Sequence, residues 1–323
     1  MRKFTTQLYL MIIYCITLLI WVSVNVFADR PVYAEQNVVL TQNTTETATE
    51  ITTQSTTQTT TETTTLFSID LPAGIEDYVI GAVAAEMPVY FAEEALKAQA
   101  VACRTYACRE FLNNKNIDLK SIGQAYLSEN ELKSRWGADF DKNFAKIKKA
   151  VADTEGEILL YDNKPILAAF CSASGGMTED SGNVWGTSLP YLRPVDSSAD
   201  KNAPVYVKEV SVDIGRLAAV LGVNDAGDIY VEKRTQSGYV LSVRAGGKSF
   251  SGDEIRRNLG LRSSNFKIDI NENTAHFTAY GYGHGVGMSQ YGAEFMAREN
   301  TGYKDILMHY YTDVSLVKTN IAG

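Results

Sequence analysis

Residues 8–27 carry no charged side chain, and this run decides where the rest of the chain can fold. The segment reads LYLMIIYCITLLIWVSVNVF and follows Arg2 and Lys3. A helix of about 20 residues is about 30 Å long, which matches the hydrocarbon core of a bilayer. Because the flanking cations lie on its N-terminal side, the pattern predicts that residues 1–28 form a cytoplasmic tip and a single-pass transmembrane anchor in the cell membrane, with the remainder on the outer face. A cleaved signal peptide is the alternative, because residues 32–34 fit a small-residue cleavage site.

A threonine-rich tract separates this segment from the first element that is expected to fold. Residues 41–65 consist mainly of Thr, Gln and Glu, and Ile51 is their only large apolar side chain. Such a composition cannot bury enough apolar surface to offset the entropy lost on ordering. Residues 29–66 are therefore predicted to be a disordered linker.

The pattern beyond the linker mixes helical and strand signals and predicts an α+β ectodomain of two domains with a cleft. Amphipathic helices are predicted at residues 74–87 and 92–113. They belong to a core formed by residues 67–205 and 274–323. Residues 206–273 are predicted to be an inserted α/β subdomain that walls one side of the cleft. Its predicted strands are residues 207–212, 229–234, 240–245 and 266–270, and its predicted helix is residues 214–221.

Charge and cysteine content exclude two classes of protein. Lys and Arg number 30 against 38 Asp and Glu, so the net charge is −8 and no nucleic-acid partner is expected. The four cysteines form no CxxC pair and have no His at metal-ligand spacing, which excludes a zinc finger. Neither a metal nor another cofactor is predicted.

The periodicity of the first predicted helix places Glu86 on its buried face. Glu86 follows Val79 by seven residues and Ile75 by eleven, so the three share one stripe at about 100° per residue. Burial and the negative end of the helix dipole both disfavour a charged carboxylate there. A carboxylic acid that stays protonated near neutral pH suits general acid catalysis. The alternative is an ordinary glutamate in the last helical turn that reaches water.

The second predicted helix carries two cations on an otherwise apolar stripe. Lys97 and Arg104 are seven residues apart, with Val101 and Cys108 on the same face. Opposite Glu86 in a helical hairpin, the two cations are interpreted as the polar lining of a cleft. In an isolated helix, such side chains would instead extend along the stripe to reach solvent.

Several sequence blocks resemble one known family. Residues 84–88 read AAEMP and residues 96–107 read LKAQAVACRTYA. Further blocks are QAY at residues 124–126, SASGGMTE at residues 172–179 and GYGHGVGMSQYGA at residues 281–293. Together they make the chain similar to the stage II sporulation protein D family, membrane-anchored lytic transglycosylases that cleave peptidoglycan in endospore-forming bacteria.

The resemblance implies a reaction and a set of site residues. It implies cleavage of the bond between N-acetylmuramic acid (MurNAc) and N-acetylglucosamine (GlcNAc) to give 1,6-anhydroMurNAc ends during sporulation engulfment. Glu86 would be the single catalytic acid. Lys97 and Arg104 would position acetyl, lactyl or carboxylate groups of the glycan. The other candidate substrate-binding residues are Tyr126, Ser172, Ser174, His284, Gln290 and Tyr291.

The same resemblance leaves two classes of function open. As an enzyme, the chain would bind peptidoglycan glycan strands and work beside membrane sporulation partners and a cell-wall amidase. As a non-catalytic wall-binding module, it would recruit or enhance such an amidase, and Glu86 would only make hydrogen bonds. The presence of Glu86 together with Lys97 and Arg104 favours the enzyme.

Three features qualify the resemblance. Cys171 stands where the family usually has His before the SxSGG run, so no role for that imidazole is carried over. Residues 118–137 contain no Cys and no His, although some members hold zinc in this stretch, and no metal is expected here. The alternating glycines of residues 281–287 permit close approach of either a sugar or a neighbouring backbone, and both interpretations stay open.

Overall fold

The computed structural model describes residues 67–321, so the predicted anchor and the threonine-rich linker lie outside the described residues. Among the helices that it describes, none combines the length and the apolar character that crossing a bilayer requires. The mixture of helices and strands confirms the α+β class. The helices are α1 (Ile75–Glu86), α2 (Glu93–Asn113), α3 (Glu129–Trp136), α4 (Phe140–Asp153), α5 (Ser181–Trp185), α6 (Ile214–Leu221), α7 (Gly252–Leu259), α8 (Gln290–Arg298) and α9 (Tyr303–Tyr310). The strands are β1 (Phe67–Leu71), β2 (Glu157–Tyr161), β3 (Lys164–Pro165), β4 (Phe170–Cys171), β5 (Val207–Asp213), β6 (Tyr230–Arg234), β7 (Val240–Ala245), β8 (Lys248–Ser251), β9 (Phe266–Asn271), β10 (Thr274–Tyr280), β11 (Met288–Ser289) and β12 (Ser315–Ile321).

The helical pair α1 and α2 forms the centre of the core, and both helices begin and end within one residue of their predicted bounds. α1 ends at Glu86, two residues before Pro88, because the residue preceding a proline is disfavoured in helical conformation. α2 is buried along most of its length between Ala95 and Cys108. Its burial follows from its neighbours, since α1, α4, α8, α9 and β2 all pack against it.

A four-stranded sheet joins the two ends of the described chain. Its strand order is β1-β12-β2-β3. β1 pairs in parallel with β12, with Phe67 opposite Thr319, and β12 runs antiparallel to β2 on its other side. The last strand in sequence is thus an interior strand of the sheet, held by ladders on both edges.

The inserted subdomain has its own sheets and its own apolar cluster. One sheet has the order β5-β10-β9 and the other β6-β7-β8. α6, α7 and both sheets contribute to a second hydrophobic cluster, to which β10 adds Ala275, Phe277 and Ala279. β10 pairs with β5 and β9, so the predicted domain boundary at residues 273–274 falls between two strands of one sheet.

A short parallel ladder brings two of the sequence blocks together. β4 pairs with β11, with Phe170 opposite Met288 and Cys171 opposite Ser289. The serine-rich loop that follows β4 therefore lies beside the glycine-rich segment that precedes β11. A separate antiparallel bridge between Ala173 and Tyr282 adds a second contact between the two segments.

Gly81, in the middle of α1, is a glycine that the packing requires. A Cβ at this position would lie 2.4 Å from Tyr126 Cε2 and 2.6 Å from the Leu127 carbonyl oxygen. Gly81→Ala should gain about 1 kcal/mol of helix propensity. The steric overlap of the added methyl group with Tyr126 and Leu127 outweighs this gain. We therefore expect a net loss of about 1–3 kcal/mol in the free energy of unfolding, measured by urea denaturation. Gly215→Ala in α6, where a Cβ meets only the end of Asp213 at 3.1 Å, is the matched control and should be near neutral; equal losses at the two sites would contradict the packing argument.

Candidate active site

Glu86 is buried at the C-terminal end of α1, as its position on the apolar stripe predicts. Only 1% of the surface of Glu86 is exposed. The backbone N–H of Ala125 donates to Glu86 Oε1 at 2.7 Å. Burial raises the pKa of Glu86 from 4.5 to about 8, and the Ala125 hydrogen bond lowers it by less. The carboxyl is therefore protonated at neutral pH and is able to give up a proton.

Two buried glutamines hold the backbone at Glu86. Gln290 Nε2 donates to the Glu86 carbonyl oxygen at 3.1 Å and to Gln99 Oε1 at 3.3 Å. Gln99 Nε2 in turn contacts Cys103 Sγ at 3.3 Å. Gln290, a predicted site residue, is thus brought to Glu86 from 204 residues along the chain. It acts on the backbone of the acid rather than on its carboxyl.

A loop between α2 and α3 contacts the carboxyl group of Glu86, whereas Gln290 contacts its backbone. Ala125 contributes the hydrogen bond to Glu86, and its neighbour Gln124 accepts a hydrogen bond from the Tyr78 hydroxyl at 2.8 Å. The predicted site residue Tyr126 stacks on Tyr78, with ring centroids 5.7 Å apart and planes 3° apart. Residues 123–127 are therefore fixed to α1 by both hydrogen bonds and ring contacts, and we call them the cover segment.

Ser172 and Tyr291 reach the same region through the β4–β11 ladder. The Tyr291 N–H donates to the Ser172 carbonyl oxygen at 3.0 Å, and Tyr291 directly follows Gln290. The Tyr291 ring packs edge-on against Phe91, with centroids 5.0 Å apart. Ser172 is buried, and within the described chain its Oγ has no hydrogen-bond partner. Gln290 and the cover segment that contains Tyr126 thus contact Glu86 directly, and Tyr291 and Ser172 are linked to Gln290 along the chain and by one backbone hydrogen bond.

Lys97 makes ion pairs at the edge of α2. Its Nζ lies 2.9 Å from Glu94, 3.1 Å from Asp153 and 3.2 Å from Glu93. Burial lowers the pKa of Lys97, but the hydrogen bonds to these carboxylates outweigh it and raise the pKa above its usual value. Three acidic side chains of the protein surround the Lys97 ammonium group. None of these contacts of Lys97 is with a group of the Glu86 site.

Arg104 is a structural residue, which corrects the interpretation of it as a cleft cation. It is fully buried and forms a two-pronged ion pair with Glu76, at 2.8 Å from Nε and 2.7 Å from Nη2. Its other N–H groups donate to Thr154 Oγ1 and to the carbonyl oxygens of Val151 and Glu157. All five donors are satisfied inside the protein, so none is available to a glycan.

Ser174 is also satisfied internally, through a buried aspartate that sequence reasoning missed. Asp200 Oδ2 accepts from the Ser174 N–H at 2.7 Å and from Ser197 Oγ at 3.0 Å, and its Oδ1 accepts from Ser289 Oγ at 2.8 Å. Burial raises the pKa of Asp200. Asp200 thus ties the serine-rich loop to the N-terminus of α8, where Ser289 is the capping residue.

His284 faces the inserted subdomain rather than the contacts made by Glu86. It lines a small cavity of about 70 Å³ together with Glu179, Tyr239 and Arg256. Burial, and next the charge of Arg256, lower the pKa of His284 to about 3, so the imidazole is neutral. Its Nδ1 accepts the Val286 N–H at 3.0 Å. Because Nδ1 of this neutral ring accepts a hydrogen bond, the single ring proton is on Nε2.

The alternating glycines pack against neighbouring protein, which favours one of the two open interpretations. A Cβ on Gly287 would lie 2.0 Å from the Ala169 carbonyl oxygen, and one on Gly285 would lie 2.1 Å from Tyr239 Oη. Both residues have positive φ, 74° and 80°, which glycine adopts without strain. The space beside these residues is filled by the protein itself, so the glycines serve close packing of the segment.

No second acid supports Glu86 through the contacts seen here. Glu179 and Asp180 are acids close in sequence to the serine-rich loop. Glu179 accepts hydrogen bonds from Asn183 and Thr235, and Asp180 caps α5 and pairs with Arg193. Neither contributes to the pKa shift of Glu86, which comes from burial and one backbone hydrogen bond. Within residues 67–321, no three His, Cys, Asp or Glu side chains are grouped as a metal site requires.

These features define a class before any relative is considered: an α+β domain with an inserted sheet pair and a buried glutamate whose pKa is raised to about 8. Comparison with known proteins gives the particular family. The model of the family described as Stage II sporulation protein matches residues 71–161. The chain is 43% identical over 253 residues to Stage II sporulation protein D of Bacillus amyloliquefaciens, covering 75% of this chain and 74% of that protein.

Two further relatives extend the comparison. The chain is 42% identical over 248 residues to Stage II sporulation protein D of Bacillus subtilis, covering 73% of this chain and 72% of that protein. It is 28% identical over 296 residues to the Amidase enhancer of Bacillus subtilis, covering 73% of this chain and 40% of that protein. The chain therefore belongs to the stage II sporulation protein D family, a family of sporulation proteins.

The raised pKa of Glu86 has a consequence for stability. An unfolded glutamate ionises near pH 4.5 and folded Glu86 near pH 8, so in between the folded state holds a proton that the unfolded state has released. The free energy of unfolding therefore falls as pH rises through this window. Glu86→Gln removes the effect. Relative to the parent, we expect the variant to gain stability between pH 5 and pH 8 by up to about 1.4 kcal/mol per pH unit, measured by urea denaturation.

Glu131→Gln is the matched control for this series. Glu131 is an exposed glutamate whose pKa is lowered by hydrogen bonds from Ser128, so it makes stability depend on pH only below pH 4.5. Glutamine keeps the capping role of Glu131 at the start of α3. A flat difference between Glu86→Gln and the parent across pH 5–8 would show that the Glu86 pKa is not raised.

Proposed function

We propose that the chain is a peptidoglycan lytic transglycosylase that uses Glu86 as its only acid and base. The observation that carries the proposal is the burial of Glu86, which raises its pKa to about 8 without help from a second carboxylate. Glycosidases that use water need two carboxylates at a defined separation. A single protonated carboxyl fits a reaction in which the substrate supplies its own nucleophile.

The proposed reaction balances with two proton transfers, one from Glu86 and one back to it. Glu86 gives its proton to the glycosidic oxygen between MurNAc and GlcNAc as the C1–O bond breaks, and the GlcNAc hydroxyl leaves. The resulting carboxylate stabilises the positive charge that develops at C1. It then takes the proton of the MurNAc C6 hydroxyl as that oxygen bonds to C1. The product is a 1,6-anhydroMurNAc end, and Glu86 is protonated again.

The other predicted site residues have different parts in this proposal. Gln290 holds the backbone at Glu86, and Ser172, bonded through its carbonyl oxygen to the next residue Tyr291, carries a buried hydroxyl that has no partner in the described chain. Arg104 stabilises the fold and leaves the binding of glycan carboxylates to other groups. We also propose that residues 8–27 anchor the chain in the cell membrane, with the folded domain and the inserted subdomain on the outer face, where peptidoglycan lies.

A second function is supported by one relative. The Bacillus subtilis protein named Amidase enhancer matches most of this chain at 28% identity. On that basis the chain would bind the wall and enhance a cell-wall amidase, and an amidase is also a candidate partner of the enzyme. The two functions differ in one outcome, because only the first breaks glycosidic bonds in the absence of any other protein.

The proposed reaction excludes water from the product, and this is directly measurable. The full chain is incubated with defined glycan strands in oxygen-18 water, and the products are analysed by mass spectrometry. We expect glycan ends of anhydro mass without label. Labelled reducing ends would refute the one-carboxyl mechanism, because water completes both retaining and inverting hydrolysis. Uncleaved strands would refute the transglycosylase function and leave the enhancement of an amidase as the proposed function.

A further inference from the structure

Within the described chain, the side-chain amide of Gln124 is, like the Ser172 hydroxyl, a buried donor without a partner. Gln124 is 5% exposed, and within the described chain its Nε2 is enclosed without a hydrogen-bond acceptor. A buried polar group in this state costs about 1–3 kcal/mol. The two other buried glutamines of the site, Gln99 and Gln290, both have their Nε2 groups bonded. The unpaired amide of Gln124 therefore stands out from chemically identical neighbours.

The position of Gln124 places this amide close to the acid. The next residue, Ala125, donates its N–H to Glu86 Oε1 at 2.7 Å. The Gln124 Cα is about 2.4 Å from that nitrogen, so it lies within about 5 Å of the acid oxygen. The side chain spans about 5 Å more from its bond lengths, which keeps Nε2 within about 10 Å of Glu86 Oε1. A sugar that contacts Glu86 is within reach of the amide.

Tyr78 fixes which end of the amide is free. Its hydroxyl donates to Gln124 Oε1 at 2.8 Å, which leaves both N–H groups of Nε2 to other acceptors. Burial raises the pKa of Tyr78 well above its usual range, so the hydroxyl keeps its proton and stays a donor. The stack of Tyr78 on Tyr126 holds the ring in place. The free donor is thus positioned in advance.

We propose that the Gln124 carboxamide is a substrate-binding group beside Glu86, and that its Nε2–H donates to the acetamido carbonyl oxygen of the sugar whose glycosidic bond is cleaved. This inference rests on the proposed function. An uncharged N–H donor pairs with an uncharged acceptor, and the acetamido oxygen is the amide carbonyl that each ring of the glycan presents. Glu86 and Gln124 are both enclosed, so the proposal requires the site to open before a sugar binds.

The test compares two substrates that differ only in the acetamido group. Gln124→Leu and the parent, each as the full chain, are assayed on N-acetylated strands and on the same strands after de-N-acetylation. On acetylated strands, Gln124→Leu should lower kcat/KM about tenfold, as for one lost hydrogen bond. On de-N-acetylated strands the two proteins should be equal, because the acceptor is already missing. Tyr78→Phe, which keeps the stack on Tyr126, should show a smaller loss with the same substrate dependence.

Gln99→Leu is the matched control, a buried glutamine whose amide is already bonded within the protein. Its losses should be equal on the two substrates. If Gln124→Leu behaves in the same way, the Gln124 amide is a structural group and the inference is overturned. The comparison is repeated as binding affinity in the Glu86→Gln background, which needs no turnover. Absence of cleavage by the parent would therefore refute the proposed function while the acetamido contact is still decided by binding.

Discussion

Glu86→Gln should reduce glycan cleavage by at least about 10²-fold, the effect of losing general acid catalysis. Glutamine keeps the size of the side chain and its ability to accept the Ala125 hydrogen bond. It has no proton to give to the glycosidic oxygen, so the loss is expected in kcat. Binding of glycan strands should be retained. The measurement is the rate of anhydro-end formation, with affinity for the same strands determined in parallel.

The control for this prediction is Glu131→Gln, which replaces an exposed glutamate of the α3 capping box in the same way. It should cleave at the parent rate. Turnover by Glu86→Gln at the parent rate would remove Glu86 from the role of acid. Loss of both cleavage and strand binding would instead point to a general change in the site, which the urea series would show as altered stability.

Arg104→Ala should lower the free energy of unfolding by about 3–5 kcal/mol, because it leaves a buried network without its cation. The substitution leaves Glu76, whose side chain is 22% exposed, without its ion-pair partner. It also leaves the carbonyl oxygens of Val151 and Glu157 without the hydrogen bonds that Arg104 donates. Lys97→Ala is the matched variant one heptad earlier on the same helix. Lys97 pairs with acids at the surface, so its loss should cost less than about 1 kcal/mol.

Urea denaturation of the two variants measures this difference. Near-equal and small losses for Arg104→Ala and Lys97→Ala would show that the buried network of Arg104 contributes little. A large loss for Arg104→Ala with full activity per folded molecule is the expected pattern for a structural cation. Reduced glycan affinity in the folded Arg104→Lys variant would return Arg104 to the site, as the sequence interpretation had it.

Much of the local structure around Glu86 was predictable because the information is close in sequence. Proline ends α1, and the apolar spacing of α1 places Glu86 on the buried stripe, which is enough to expect a raised pKa. The strands and helix of the insert were predictable for the same reason. β7 and α6, for example, have the bounds that alternation and helical periodicity predict.

The partners of the polar groups were not predictable, because they come from distant parts of the chain. Lys97 and Arg104 share a helical face, yet Arg104 pairs with Glu76 of α1 and Lys97 pairs with Asp153 of α4. Only the pairs of Lys97 with Glu93 and Glu94, on its own helix, follow from local spacing. Periodicity shows that a side chain points inward but not what it meets there. Gln124 lies in a loop without periodicity, and only its place in the QAY block marked it. Asp200 carried no signal, since its serine partners are up to 89 residues away.

The position of β12 between β1 and β2 has a consequence for how the chain reaches its native state. β1 is the first described strand and β12 the last, and they are direct neighbours in the sheet. Pairings of such large sequence separation form late and slow folding, because a long loop must close before they stabilise anything. During synthesis, neither β1 nor β2 can pair with β12 until residues 315–321 have left the ribosome. The native sheet is thus completed only after residues 315–321 have been made.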